Sequence, residues 1–422
     1  MAGSFSFLKF TDPLFAAELE SKINHVNKFT AEEVAGDEDF WSWVREAYTV
    51  SPNIINLNNG GVSPQPKVVQ DAHIRNYQYC NEAPSYYMWR ILDQGREPLR
   101  SKLAALAGCS AEEIAINRNS TEGLNTIIFG LDLKAGDEVV LCKFDYPNMM
   151  NAWKQREKRD GIKLTWVDLN LPIENEQEIV SLYSKAITSK TKIVHITHVI
   201  NWTGQVMPVK AIVDMAHAKG CEVIVDGAHS FAHLDYKVPD LGCDYFATSL
   251  HKWLCAPFGS GMMYIKKDKI KKVWALLSAP EPDGGDIRKF ENLGTRSFAS
   301  EMAIGNAIEF HLMIGGKRKE ARLRYLRNYW CDKIKGMPGV KFNTPYAAQF
   351  SCALTSVSIE GWKGSEIEGR LFEKKKIHIV PIDHEHVNGV RITASVYNSL
   401  SELDRLVEGI EELVKAGPPA KK

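Results

Sequence analysis

The chain has 422 residues, 44% of them apolar and 25% charged, enough material for about two to three domains with sizeable cores. Its 52 Lys+Arg balance 52 Asp+Glu, which excludes partners gathered by bulk charge, nucleic acid and anionic membrane surfaces among them. No apolar run approaches the roughly 20 residues that span a bilayer, and the eight scattered cysteines form neither a CxxC pair nor a disulfide framework. The N-terminus lacks a basic segment, and Asp12 and Glu18 follow early. Together these features predict a soluble, cytoplasmic protein with reduced thiols.

Residues 1–50 are helix-prone and carry Phe40, Trp41 and Trp43, which predicts an arm packed on the body or on a partner subunit. Pro52 and then Asn58-Asn59-Gly60-Gly61 form a turn-rich entry to the main body, expected over 51–300. Helical patterns follow at 64–79, 96–107 and 121–131, with a short strand, Glu113-Ile114-Ala115-Ile116, before the third. Strands at 137–142, 163–167, 192–197 and 222–226 then alternate with helices at 148–159, 176–187 and 208–219. Short apolar strands separated by helices of this length predict an α/β fold with a doubly wound, mainly parallel sheet. Such sheets bind ligands beyond the carboxyl ends of their strands, where Tyr146, Asn201 and Asp226 fall. After residue 300 a long helical stretch (300–336) precedes strands near 353–359, 377–380 and 390–393 and helices at 364–375 and 400–415. This predicts a smaller α+β domain over 301–422, with a frayed tail, Pro418-Pro419-Ala420-Lys421-Lys422.

The most specific local pattern is Thr248-Ser249-Leu250-His251-Lys252-Trp253, 26 residues beyond the Asp226 that closes the run Glu222-Val223-Ile224-Val225-Asp226-Gly227-Ala228-His229. A lysine on the loop after one strand and a carboxylate at the end of another are what pyridoxal phosphate requires. The amine forms a Schiff base with the cofactor's aldehyde, and the carboxylate keeps the pyridine nitrogen protonated so that the ring accepts electrons. Asn119-Ser120-Thr121-Glu122-Gly123 opens a helix just after a strand, where free N–H groups and hydroxyls suit a phosphate. Taken alone, that segment equally describes an ordinary N-cap.

These motifs resemble the fold-type I pyridoxal phosphate enzymes of the class V aminotransferase family. The segments 226–229 and 251–257 are most similar to isopenicillin N epimerases. Asn58-Asn59-Gly60-Gly61, Thr197-His198-Val199-Ile200-Asn201-Trp202-Thr203-Gly204, Gly294-Thr295-Arg296 and Arg391-Ile392-Thr393 recur in family order, so the likeness spans about 55–410. It implies that Lys252 carries the cofactor and then acts as base and acid at the substrate Cα, with Asp226 on the pyridine nitrogen. It implies His229 near the phenolic oxygen, Tyr146 stacked on the ring, and Ser120, Thr121, Ser249 and His251 on the phosphate. Thr295 would reach the phosphate of a second subunit, which implies a homodimer with shared active sites. Asn201 and Arg391 would bind the carboxylate of an amino acid substrate. Arg90 and Arg296 read as surface or interface residues.

No metal site is expected. His384-Glu385-His386 and the His229, His233 pair have metal-like spacing, but neither a structural-zinc Cys/His set nor HExxH accompanies them. The lysine run 266–272 reads as a solvated helix face. Family cysteine desulfurases need a nucleophilic cysteine shortly before the carboxylate-binding arginine, and 374–390 contains none. Persulfide chemistry is therefore not expected. The expected reaction is transamination, for which one lysine committed to one face suffices, with epimerisation as the alternative. A C–S lyase and a non-catalytic regulatory module that binds the cofactor rank below both.

Overall fold

The computed structural model describes residues 13–419. The first twelve residues of the expected arm and the last three of the expected tail lie outside them. A seven-stranded sheet is built from β1 (Ile114–Asn117), β2 (Glu138–Cys142), β3 (Lys163–Val167), β4 (Thr191–Thr197), β5 (Glu222–Asp226), β6 (Tyr245–Ser249) and β7 (Gly261–Ile265). Their order across the sheet is β3-β2-β4-β5-β6-β7-β1, and β7 alone runs antiparallel to its neighbours. The fold is α/β, as the alternation of strands and helices predicts.

Burial on both faces explains why these strands read as unbroken apolar runs. In β5, Val223 and Val225 join the core that also holds Leu99, Ile196 and Ile304. Between them, Ile224 faces the opposite core with Leu141, Trp153 and Ala247. The sequence reading placed the intervening helices within a residue or two; examples are Arg96–Ala107, Pro147–Asp160 and Glu176–Ala186.

A second sheet of β8 (Val340–Phe342), β9 (Leu354–Ile359), β10 (Val380–His384) and β11 (Val387–Thr393) is antiparallel, in the order β10-β11-β9-β8. Its core includes Trp330, Val357, Leu371, Ile392 and Ile410. Ile55 and Leu57, from far upstream, belong to the same core, and Ile55–Asn56 pairs in parallel with Ile377–His378. The long helical stretch is two helices, Phe298–Ile314 and Gly316–Ile334. They are broken at Gly315, whose φ of 87° ends the first.

The arm packs on the body of its own chain. Phe40, Trp41 and Val44 of the helix Glu38–Glu46 share a core with Trp253, Phe310, Leu323 and Tyr397. Arg45 adds a two-pronged pair to Glu402, both contacts at 3.0 Å. The lysines of 266–272 lie on a 3-10 turn, mostly exposed, with Ile270 buried beneath. Among the described residues no helix is long and apolar enough to cross a membrane.

Candidate active site

Asp226 and Lys252 come together because β5 and β6 are neighbours whose carboxyl ends face the same edge. Gly227 makes the turn after Asp226 possible: a Cβ there would sit 2.0 Å from the Phe246 ring. The Asp226 Oδ1 accepts the Ala228 N–H at 2.9 Å, and burial raises its pKa against the opposing charge of Lys252. Lys252 Nζ lies 3.1 Å from His229 Nε2. Burial pushes the amine down to about 8, while Asp226 resists that shift. The His229 ring is held well below its ordinary value by burial and then by the nearby cations, so it is neutral. Its Nδ1 has no partner among the described residues.

The helix Ser120–Gly130 descends onto the end of β6. Gly123 allows this approach, because a Cβ would lie 2.8 Å from Ala247 Cβ and 2.4 Å from Asn117 Nδ2. At the helix start Asn119 Oδ1 accepts the Glu122 N–H at 2.8 Å. The Ser120 N–H donates to Ser249 Oγ at 2.9 Å, and the two hydroxyls meet at 3.0 Å. Thr121 stands half-buried beside them. His251 donates Nδ1–H to the Ser260 carbonyl at 3.0 Å, which leaves Nε2 for another partner. A helix end, three hydroxyls and an imidazole of this kind suit a phosphate.

Arg391 comes from β11 in the other sheet. Its Nη1 donates to the Asn201 carbonyl at 2.9 Å and its Nη2 to Asn58 Oδ1 at 3.0 Å. It is buried with no carboxylate partner among the described residues, and burial pushes its pKa down to about 10. Its Nε, Asn201 Oδ1 and Thr393 Oγ1 are buried without hydrogen-bond partners. Buried polar groups are normally paired, so several orphans around one buried guanidinium suit a polar ligand, and the guanidinium without a carboxylate suits an anionic one. Tyr146, at the start of the helix Pro147–Asp160, is 38% exposed and interacts electrostatically with Arg391.

Thr295 is exposed on the loop after Glu291, and no hydrogen bond ties it to these residues. Arg296 is engaged with Glu301 at 2.9 Å and Asp93 at 2.6 Å, and Arg90 is exposed. Of the metal-like histidines, His233, His384 and His386 bond to backbone, and His229 faces Lys252. His384 and His386 donate to the carbonyls of Lys143 and Leu171 at 2.8 and 2.9 Å, which ties β10 and its turn to the large sheet.

Asp145 escaped the sequence reading. It is 1% exposed and accepts Thr197 Oγ1–H and the Cys142 N–H, both at 2.7 Å. Thr197 is the register partner of Asp226 across β4 and β5. Burial, with Asp226 adding to it, raises the Asp145 carboxyl to about 7. An aspartate before Tyr-Pro was the only local signal.

A family model described as Aminotransferase class-V matches residues 55–406. The chain is 27% identical over 398 residues to an isopenicillin N epimerase from Amycolatopsis lactamdurans, covering 89% of this chain and 99% of that one. It is 28% identical over 390 residues to a probable cysteine desulfurase from Halalkalibacterium halodurans, covering 85% and 93%. The fold is shared with a cystine C–S lyase solved in complex with its product cysteine persulfide. That likeness has a TM-score of 0.75 at 22% identity and covers 85% of this chain and 97% of that one.

Proposed function

Because this chain belongs to the class V aminotransferase family, whose members work with pyridoxal phosphate, we propose that it acts at the Cα of an amino acid through Lys252 and that the reaction is transamination. The observation that carries this reading is the half-buried Lys252 amine, held near 8 and 3.1 Å from His229, together with a buried Arg391 that has no carboxylate partner among the described residues and whose Nε is unpaired.

Pyridoxal phosphate, when bound, supplies an electron-accepting ring that weakens the bonds at the substrate Cα. Asp226 would hold the proton on the ring nitrogen, and His229 Nδ1 would donate to an oxygen of the ring. Ser120, Thr121, Ser249 and His251 would bind the phosphate. Tyr146 would cover the outer face and exclude water. Arg391 and Asn201 would clamp the substrate carboxylate, which orients the Cα–H bond toward Lys252. The Lys252 amine would hold and move the proton at the substrate Cα. One base on one face suffices for transamination.

One observation favours another ending. The similarity to isopenicillin N epimerase over nearly its whole length favours epimerisation, which returns the proton to the opposite face of Cα. The likeness to a probable cysteine desulfurase is harder to extend. Cys109 is half-buried, every other cysteine is buried, and none lies in 374–390. The decisive experiment is an amino acid panel on the purified holoenzyme. Transamination predicts loss of the cofactor's absorption band with one amino acid alone and its return on adding a 2-oxo acid. Solvent deuterium entering Cα with loss of optical activity, and no change of band, would replace this reading with epimerisation.

Arg391→Lys tests the clamp. A point charge cannot reproduce two parallel N–H donors, so kcat/KM should fall about a hundredfold, mainly through KM. An unchanged KM would remove Arg391 from substrate binding.

We also propose a homodimer in which Thr295 serves the partner's phosphate. Exposed Ile74, Tyr77, Tyr86 and Trp89, on the helix Lys67–Glu82 and the turns after it, would provide apolar surface for that contact. A cytoplasmic location is proposed from the eight free cysteines.

A further inference from the structure

We propose that His233 is a positioning residue that joins the strand end bearing His229, the turn bearing Lys252 and the C-terminal sheet into one rigid piece. The ring is 1% exposed and does not enter the substrate cleft; it stands behind His229. Its Nδ1–H donates to the His229 carbonyl at 2.7 Å, and its Nε2 accepts the N–H of Ala353, the residue just before β9, at 3.1 Å. The ring face lies flat on the indole of Trp253, centroids 3.6 Å apart and planes 6° from parallel. Trp253 directly follows Lys252, and its carbonyl receives the ammonium of buried Lys319 from the helix Gly316–Ile334.

One imidazole therefore contacts the backbone next to the Lys252 partner, the side chain next to Lys252 itself, and the sheet that supplies Arg391. A carbonyl on one nitrogen and an N–H on the other can both be satisfied only by the neutral Nδ1–H tautomer. Burial, which pushes the pKa down to about 3, keeps the ring in that form. Lys, Arg or a protonated ring would set two donors against each other at Ala353. An apolar residue would leave two buried backbone groups unpaired. The 3.1 Å spacing between Lys252 Nζ and His229 Nε2 is thus fixed from behind by a residue that touches neither substrate nor cofactor.

This inference rests on Lys252 as the covalent anchor. The test is the pH midpoint of the cofactor's absorption change in holoenzyme variants, read together with cofactor content and melting temperature. His233→Phe keeps the ring stack and loses both backbone bonds. It should retain the cofactor yet move the midpoint by roughly half a pH unit or more. His233→Asn, which keeps a donor for the His229 carbonyl, should bring the midpoint back toward the wild-type value. Trp253→Leu removes the stack while leaving the two His233 hydrogen bonds their partners, and should shift the midpoint in the same direction, which provides the reading if His233→Phe does not fold. A lower melting temperature with the midpoint unmoved in the folded variants would reduce His233 to an ordinary core residue. Borohydride reduction and peptide mapping of each variant separate the two claims. Cofactor on Lys252 with an unmoved midpoint overturns this inference alone, and cofactor on another residue overturns the anchor itself.

Discussion

Lys252→Ala should abolish borohydride fixation of the cofactor and lower turnover by about 10⁴-fold or more, because the proposed mechanism gives one side chain both the covalent anchor and the Cα acid–base role. The variant should still fold and still bind pyridoxal phosphate non-covalently through Ser120, Ser249 and their neighbours. A mass spectrum of the reduced, digested protein checks the first statement, and single-turnover kinetics check the second. Full activity in the variant would sink the assignment. The same lysine sets a pH dependence. Capture of the aldehyde by apoenzyme needs the free amine, and burial lowers the amine's pKa from 10.5 to about 8. Capture should therefore accelerate as pH rises through about 8 and level off above it. A surface lysine would keep accelerating beyond pH 10.

The second large effect is expected at Asp226. Removing one partner of a buried charge pair typically costs about 3–5 kcal/mol, so Asp226→Ala should slow proton removal from Cα by roughly two to three and a half powers of ten. Stopped-flow absorbance during the first half-reaction measures this directly. Stability of the apoprotein should move the other way. A carboxyl whose folded-state pKa is raised holds its proton more tightly folded than unfolded. It adds nothing below the unfolded value and lowers stability as pH rises through the folded one. At neutral pH the Asp226→Ala apoprotein should melt no lower than wild type, while its holoenzyme is crippled. A large loss of apoprotein stability would mean that Asp226 serves the fold and not the cofactor.

What the sequence revealed follows from which forces are local. The strands around Val223, Ile224 and Val225 were legible because a sheet covered on both faces needs uninterrupted apolar residues. Lys252 and Asp226 were legible because Asp226 closes one strand and Lys252 lies three residues past the end of the next, and strand ends define the binding edge of such a sheet. Asp145 and His233 were not. Asp145 acquires its meaning from Thr197, 52 positions away, and His233 from Ala353, 120 positions away. Asn58 on the Arg391 guanidinium is a contact over 333 positions. Strand order and register create those contacts, and neither leaves a mark on neighbouring residues. The break at Gly315 did leave one, the Gly315-Gly316 pair, which a continuous helical pattern outweighed. The side on which the arm would pack was undecidable for a similar reason. Trp41 and Phe40 announce a buried face but not whose core receives it.

That arm and the strand at Ile55–Asn56 also carry a consequence for how the protein is made. Residues from the first seventh of the chain complete their packing only with Leu323, Ile377 and Tyr397, and Arg45 its ion pair only with Glu402. A ribosome delivers these long after the arm. The early aromatics must wait, solvent-exposed or chaperoned, until the segments that cover them have been made. Arg391, the proposed carboxylate clamp, lies between Ile377 and Tyr397, on β11. The packing of the arm and the proposed clamp are thus completed by the same stretch of chain.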